Sequence, residues 1–196
     1  GSLEGVRNPV LLLEGTRAVA KEDESLLKSM GQMLAERLPR VVFRSGNANG
    51  SDMLFARGVE AVDPERMEYI LPYERMGGTR LAREGKVRNL GQLSKAAETA
   101  ISEFTVAATP EYERLVQYYR EHGRRNRTGA KAVYVMRDAL KVVGSDELGI
   151  EQATAGLFYV NQDDPLSGGT GHTIRVCLNQ RVPVVSQLVW REWLGR

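Results

Sequence analysis

The sequence contains few of the residues that build disulfide-rich or metal-centred proteins. Among its 196 residues there is one cysteine, Cys177, and there are two histidines, His122 and His172. A single cysteine excludes an internal disulfide and a zinc site built from cysteines. Two histidines argue against a histidine-rich metal site. We therefore expect no bound metal.

Long apolar runs and an excess of charge of one sign are also missing. No run approaches the roughly 18 residues of a transmembrane helix, so we expect no contact with a membrane and a cytoplasmic location. Lys and Arg number 27 and Asp and Glu number 25, which gives a net charge of +2. This balance excludes a protein that coats nucleic acid through its overall charge. The length favours a single domain that spans residues 1–196.

Short apolar runs alternate with helical periodicities along most of the chain. Runs that are apolar on both faces are typical of buried parallel strands, and leucines and methionines at three- and four-residue steps indicate helices between them. We predict a three-layer α/β, Rossmann-like fold with a five-stranded parallel sheet in the order 3-2-1-4-5. The five predicted strands cover residues 9–13, 41–43, 67–71, 155–160 and 182–185.

Residues 74–131 differ in charge from the rest of the chain. They hold twelve Lys and Arg residues against seven Glu residues, a net charge of +5, so the remainder carries −3. We interpret this segment as a basic helical insert, with helices at 89–105 and 110–122. A further helix is predicted at about 128–143, and a strand at 132–136 is the alternative because Val and Tyr favour strands.

Arginines and tyrosines lie close together near the end of the insert. Such a stretch can bind single-stranded DNA by stacking and charge. The alternatives are a solvated helix whose tyrosines pack inward, or arginines that fold over a ligand and meet its phosphate. The arginines concerned are Arg120, Arg124, Arg125 and Arg127.

Three polar segments rich in glycine follow the first, second and fourth predicted strands. The carboxyl ends of parallel strands share one edge of a sheet, where ligands of such folds bind. Glycine permits close backbone approach, and amides at the start of a helix favour an anion such as phosphate. The candidate ligand-binding residues are Gly15, Thr16, Arg17, Ser45, Gly46, Asn47, Gly50, Ser51, Asp52, Asn161, Gly168, Gly169, Thr170, Gly171, His172 and Thr173.

Taken in order, these motifs resemble the SLOG superfamily, the Rossmann-like group that contains the DNA-processing protein A family and the cytokinin-activating phosphoribohydrolases. The resemblance implies a nucleotide or another phosphate-bearing small molecule as ligand, with its phosphate at the third glycine segment and Asp52 near a ribose hydroxyl. It also adds Arg137 to the candidate site, and it implies a homodimer. The matching segments are Leu13–Arg17, Ser45–Asp52, Ser167–Thr173 and the pair Arg137-Asp138.

One departure from the superfamily concerns catalysis. The phosphoribohydrolases carry a glutamate shortly after the glycine segment, whereas residues 173–176 contain no acid here. Their catalytic arrangement is not reproduced, so enzymatic activity stays open. Our main prediction is a nucleotide-binding protein. The alternatives are a single-stranded DNA-binding relative of DNA-processing protein A and a hydrolase or transferase acting on a nucleotide N-glycosidic bond.

Other polar residues have plainer interpretations. His172 is suited to general base catalysis by its ordinary pKa, but a neutral hydrogen-bonding role is favoured next to a helix N-terminus. Cys177 fits core packing. Asp163 and Asp164 suit either Mg²⁺ beside a phosphate or a solvated loop.

Overall fold

Six strands form one parallel sheet in the computed structural model, which describes residues 5–74 and 86–195. Within these residues the strand order is β4-β3-β2-β1-β5-β6. The chain therefore builds outward from β1 in one direction and then crosses to the other side, where β5 pairs with β1. The strands are β1 (Val10–Gly15), β2 (Val42–Ser45), β3 (Met67–Leu71), β4 (Lys86–Asn89), β5 (Ala155–Tyr159) and β6 (Val184–Ser186).

Helices cover both faces of this sheet. Alternate residues of β1 point to opposite faces, so that Leu11 and Leu13 pack with α1 and α2 while Leu12 packs with α5. This pattern gives the three layers of a doubly wound α/β fold. The helices are α1 (Glu24–Arg37), α2 (Ser51–Glu60), α3 (Lys95–Ala108), α4 (Glu113–His122), α5 (Arg127–Val143), α6 (Gly168–Asn179) and α7 (Gln187–Trp190).

The predicted sheet of five strands in the order 3-2-1-4-5 is wrong in its strand number. The five expected strands have the expected neighbours, but β4 adds a sixth strand beside β3. Strand β4 lies inside the segment that we interpreted as helical. Only Val87 in β4 is apolar, and most of its side chains are partly exposed, as is usual for an edge strand. A strand of this kind leaves no apolar run in the sequence.

The rest of the insert is largely helical. The helix expected from residue 89 begins at Lys95, because the Ser94 side chain accepts a hydrogen bond from the Ala97 amide and caps it. The segment 128–143 is helical and not a strand: α5 is capped by Asn126 and ends at Gly144, whose φ is 74°. Three of the basic residues, Arg75, Arg80 and Arg83, lie outside the described residues.

Helix α6 begins earlier than its sequence indicates. The glycines at 168–171 predict a loop to Gly171 and a helix from His172, but the helix starts at Gly168. The glycines therefore form its first turn. Among the residues that the structure describes, no helix has the length and apolar character needed to cross a membrane.

Candidate functional site

A pocket of about 450 Å³ opens at the carboxyl edge of the sheet, where β1 and β5 are neighbours. This is the point at which the strand order reverses, and ligand sites of open α/β sheets lie there. Segments after β1, β2 and β5 line the pocket, and α5 closes one side. The lining residues are Glu14, Gly15, Thr16, Arg17, Ala48, Asp52, Tyr112, Lys131, Tyr134, Val135, Arg137, Asp138, Lys141, Asn161, Asp164, Pro165, Ser167, Gly168, Gly169 and Thr170.

Nine of the seventeen predicted ligand residues line this pocket, and the other eight do not. The nine are Gly15, Thr16, Arg17, Asp52, Arg137, Asn161, Gly168, Gly169 and Thr170. The structure therefore brings the segments after β1 and β5 together, whereas most of the segment after β2 lies behind them. The eight outside the lining are Ser45, Gly46, Asn47, Gly50, Ser51, Gly171, His172 and Thr173.

The segment after β2 holds the segment after β1 in position. Asp52 is buried, and its two carboxylate oxygens accept hydrogen bonds from the Gly15 amide (3.1 Å) and the Ala48 amide (3.3 Å). The Ser51 hydroxyl donates to the Thr16 carbonyl oxygen at 2.6 Å. Because both Asp52 oxygens already accept amide hydrogens, this carboxylate positions the two backbone segments that form one wall of the pocket.

Four further predicted residues of this segment contact other protein atoms. Asn47 has a left-handed backbone with φ of 54°, and its amide donates to the Ser45 hydroxyl at 3.2 Å. A Cβ on Gly46 would lie 1.9 Å from Nη1 of Arg137, and a Cβ on Gly50 would lie 2.4 Å from the Arg17 carbonyl oxygen. These glycines allow close packing within the protein.

Five buried charged side chains form the floor of the pocket. The Lys141 ammonium lies 2.5 Å from Oε2 of Glu14 and 2.9 Å from Oδ1 of Asp138. Arg137 forms an ion pair with Asp138 at 3.1 Å and donates to the Gly46 carbonyl oxygen at 2.9 Å. Asp52 completes the group, so three carboxyl groups face two cations. We call Glu14, Asp52, Arg137, Asp138 and Lys141 the floor cluster.

The floor cluster changes the proton affinity of its members. Burial, with the charge of Asp52 second, raises the pKa of Glu14 to about 8, although Lys141 and Arg137 act against this. Burial also raises the pKa of Asp52 above its ordinary value. Burial acts in the same direction on Asp138, but Arg137 and Lys141 outweigh it and hold the pKa of Asp138 below the ordinary value. One excess carboxylate in a buried group is most easily neutralised by a proton, and Glu14 is placed to carry it.

The rim of the pocket carries exposed cations and open backbone. Arg17 and Lys131 are exposed at the rim. Gly168 has a φ of 59° and no atom within 4 Å of the position of a Cβ, so a ligand can approach its backbone. No side chain caps α6, since the Ser167 hydroxyl donates to the Asp164 carbonyl oxygen instead. The first amides of a helix have no partner within the helix, and these amides lie at the rim.

The end of the third glycine segment serves packing within the protein. A Cβ on Gly171 would lie 1.8 Å from the Leu166 carbonyl oxygen. The Thr173 hydroxyl donates to the Gly169 carbonyl oxygen at 3.0 Å. Neither residue lines the pocket, so only the first turn of α6 is available to a ligand.

His172 is fully buried behind the pocket wall. Its Nε2 donates to the Val135 carbonyl oxygen at 3.1 Å, which leaves Nδ1 to accept from the Thr109 hydroxyl at 2.8 Å. Burial lowers the pKa of His172 below its ordinary value. The Tyr112 ring lies edge-on at 5.1 Å between ring centroids. The neutral imidazole therefore joins α5 and α6 to the segment before α4.

Of the floor cluster, the sequence motifs did not include Lys141, and they included Glu14 and Asp138 only as neighbours of predicted ligand residues. A usable signal existed. Glu14 interrupts an apolar strand, and Asp138 and Lys141 are three residues apart on the otherwise apolar face of α5. Charged residues at positions that must be buried need partners, and these three provide partners for one another.

The arginines of the insert lie on the surface around α4 and the start of α5. Arg120 donates to the Ser102 hydroxyl, and the Arg124 guanidinium lies 4.4 Å from the centre of the Tyr73 ring. Arg125 and Arg127 are exposed, and the side chain of neither forms a hydrogen bond or an ion pair with any described residue. These two side chains are free to contact a partner. Among the described positions, no group of three or more His, Cys, Asp or Glu side chains is arranged to hold a metal ion.

The fold and the pocket together define a doubly wound α/β protein with a polar pocket at the reversal point of its sheet. No family model matches the sequence, and a search of curated proteins gives no match. Among solved structures, the chain is similar to DNA processing protein A from Helicobacter pylori, a structure described for its single-stranded DNA binding mode. The two chains have 11% sequence identity and a TM-score of 0.47. The match covers 91% of this chain but 65% of the Helicobacter pylori chain, so this chain spans less than two thirds of the length of that protein.

Proposed function

We propose that this protein binds a nucleotide or a nucleotide-derived small molecule in the pocket at the carboxyl edge of the sheet. The observation that carries the proposal is the pairing of two kinds of surface in one cavity. The rim offers cations and open helix amides, which suit a phosphate. The floor offers buried donors and acceptors, which suit the uncharged sugar or base.

The size of the cavity supports the same class of ligand. Small-molecule sites occupy roughly 300–1,000 Å³, and this pocket has about 450 Å³. The resemblance to the SLOG superfamily implies the same ligand class. The carboxyl groups of Glu14, Asp52 and Asp138 offset the charges of Arg137 and Lys141, so the floor has no excess positive charge with which to hold a phosphate.

The test is a titration of the four ribonucleoside 5′-monophosphates and diphosphates into the intact protein, followed by calorimetry and thermal unfolding. We expect at least one to bind and to raise the unfolding temperature. Arg17→Ala should weaken binding by at least about tenfold, since a charged hydrogen bond contributes roughly 1.5–3 kcal/mol. Arg40→Ala is the matched control, because exposed Arg40 precedes β2 and so lies at the opposite edge.

Two outcomes would contradict the proposal: no binding at millimolar concentration, or equal loss of affinity in the Arg17 and Arg40 variants. Chromatography of the recovered ligand separates binding from turnover. An intact nucleotide supports a binding protein. Release of the free base supports cleavage of the N-glycosidic bond instead.

Single-stranded DNA binding at the arginine surface is the second candidate function. Exposed Arg125 and Arg127, free of partners among the described residues, favour it. The structure of DNA processing protein A is described for binding such DNA, but the likeness is too distant to carry the argument.

This second candidate predicts a salt-sensitive interaction. Anisotropy of a labelled oligothymidylate should show binding that falls steeply with salt. The double variant Arg125→Ala/Arg127→Ala should reduce both affinity and salt dependence, while Arg40→Ala should leave them unchanged. Absence of binding at low salt would remove this candidate.

A further inference from the structure

Glu14 has one carboxylate oxygen to which none of the described residues forms a hydrogen bond. The side chain is 5% exposed, and Oε2 accepts a hydrogen bond from Lys141, whereas Oε1 is buried without a partner among these residues. A buried polar atom left without a hydrogen-bond partner destabilises the protein. Glu14 lines the pocket, so a ligand there can supply the missing partner.

Lys141 provides a donor beside this oxygen. An ammonium group has three N–H donors, and Glu14 and Asp138 take two of them. Lys141 also lines the pocket. The floor therefore offers one available N–H donor next to one unpaired carboxyl oxygen, and a hydroxyl group, which both donates and accepts, satisfies the two together.

The position of Glu14 agrees with a ligand that has its phosphate at the rim. Oδ2 of Asp138 lies 3.2 Å from the position of a Cβ on Gly169, in the first turn of α6, and Lys141 joins Asp138 to Glu14. Two side chains, those of Asp138 and Lys141, thus connect the N-terminus of α6 to the carboxyl group that carries the unpaired oxygen. In a nucleotide the sugar is bonded directly to the phosphate. A ligand whose phosphate lies at the N-terminus of α6 therefore has its sugar hydroxyls within reach of the Glu14 carboxyl group.

On the basis of the proposed function, we propose that Glu14 determines the specificity of this pocket by forming a hydrogen bond through Oε1 to a sugar hydroxyl of the bound nucleotide. Because the pKa of Glu14 is raised, the carboxyl group can also be protonated; Oε1 then donates to the same hydroxyl oxygen, whose two lone pairs accept from both Oε1 and the Lys141 ammonium.

The experiment compares ribonucleoside 5′-monophosphates with their 2′,3′-dideoxy analogues by calorimetry. The wild-type protein should bind the ribose form about tenfold more tightly, as expected for one hydrogen bond in a buried site. Glu14→Met, which is unbranched and cannot form this bond, should bring the ratio of the two affinities close to one. Glu14→Gln, whose amide still donates, should keep part of the preference.

Glu60→Met is the matched control. Glu60 ends α2 at the opposite edge of the sheet, where its carboxylate accepts a hydrogen bond from Tyr69, so this variant should keep the wild-type ratio. If Glu14→Met does not fold, carbon NMR of the Glu14 carboxyl in the wild-type protein replaces it. The signal should shift on binding of the ribose form and much less with the dideoxy analogue.

The outcomes separate this inference from the proposed function. Equal affinity for the ribose and dideoxy forms, or a preference that survives Glu14→Met, would overturn the role of Glu14 while nucleotide binding stands. Absence of binding for either form would overturn the proposed function itself.

Discussion

The floor cluster predicts that the stability of this protein decreases with rising pH through the titration of Glu14. Burial raises the pKa of Glu14 from 4.5 to about 8 in the folded protein. Between these two values the folded chain holds a proton that the unfolded chain has released. A state that holds more protons loses stability as pH rises, so this contribution is complete below pH 4.5 and is lost by about pH 8.

The magnitude follows from the two pKa values. A tenfold change in proton affinity corresponds to about 1.4 kcal/mol, so the interval from 4.5 to about 8 corresponds to a loss on the order of 5 kcal/mol. Ordinary domains have a free energy of unfolding of roughly 5–15 kcal/mol. An effect of this size should be readily measured. Glu14→Gln removes the titrating group but keeps its shape and its contact with Lys141.

The assay is urea unfolding at pH values from 5 to 9, followed by the fluorescence of Trp190 and Trp193. The wild-type protein should lose stability relative to Glu14→Gln as pH rises, and the difference should level off above pH 8. Glu60→Gln controls for removal of a glutamate elsewhere. A constant difference between the wild type and Glu14→Gln across this range would refute the reasoning.

Three further predictions concern residues that line the pocket or lie directly behind its lining. Gly171→Ala should lower the free energy of unfolding by about 2 kcal/mol because its Cβ meets a backbone oxygen at 1.8 Å, whereas Gly169→Ala, which meets only the end of a side chain at 3.2 Å, should change it by less than about 1 kcal/mol. Both are measured by urea unfolding. The lowered pKa of His172 makes the wild type lose stability as pH falls below 6.5, since the unfolded chain then takes up a proton that the folded chain excludes; His172→Phe should remove this dependence in the same assay. Asp52→Asn should cost about 1–2 kcal/mol, because an amide oxygen replaces only one of the two oxygens that accept backbone hydrogens.

Most of the sheet could be predicted because buried parallel strands have a strong sequence signal. The run at residues 9–13 is apolar on both faces, and β1 is the central strand that such a run indicates. Strand β4 has no such signal, since an edge strand is half exposed. This strand forms by pairing with β3, a tertiary contact that the local strand or helix propensity of its own residues does not reveal. The predicted start of α6 lies too far along the sequence because glycines favour loops. Here Gly171 lies within the helix, and a glycine is required there by close contact with the Leu166 backbone.

The sequence predicts where the candidate site lies but not all of the residues that form it. The carboxyl edge follows from strand direction alone, and Gly15, Arg17 and Gly168 line the pocket there. A glycine in these segments can serve either of two roles, however: it can leave space for a ligand, or it can allow another part of the protein to pack closely. The sequence does not distinguish these roles. Gly168 leaves open space, while Gly46 gives room to the guanidinium of Arg137.

The distribution of charge also assigns the two candidate functions to different parts of the protein, the pocket and the outer surface. The sequence contrast between a segment of +5 and a remainder of −3 gives no indication that three carboxyl groups and two cations meet inside the protein. A phosphodiester chain carries negative charge at every nucleotide. The floor cluster has no excess positive charge to bind such a chain, whereas the exposed side chains of Arg125 and Arg127 on the outer surface are suited to it. A nucleotide has one charged end and one neutral end. The proposed nucleotide ligand is consistent with a pocket that has cations at its rim and a hydrogen-bonding, nearly neutral floor.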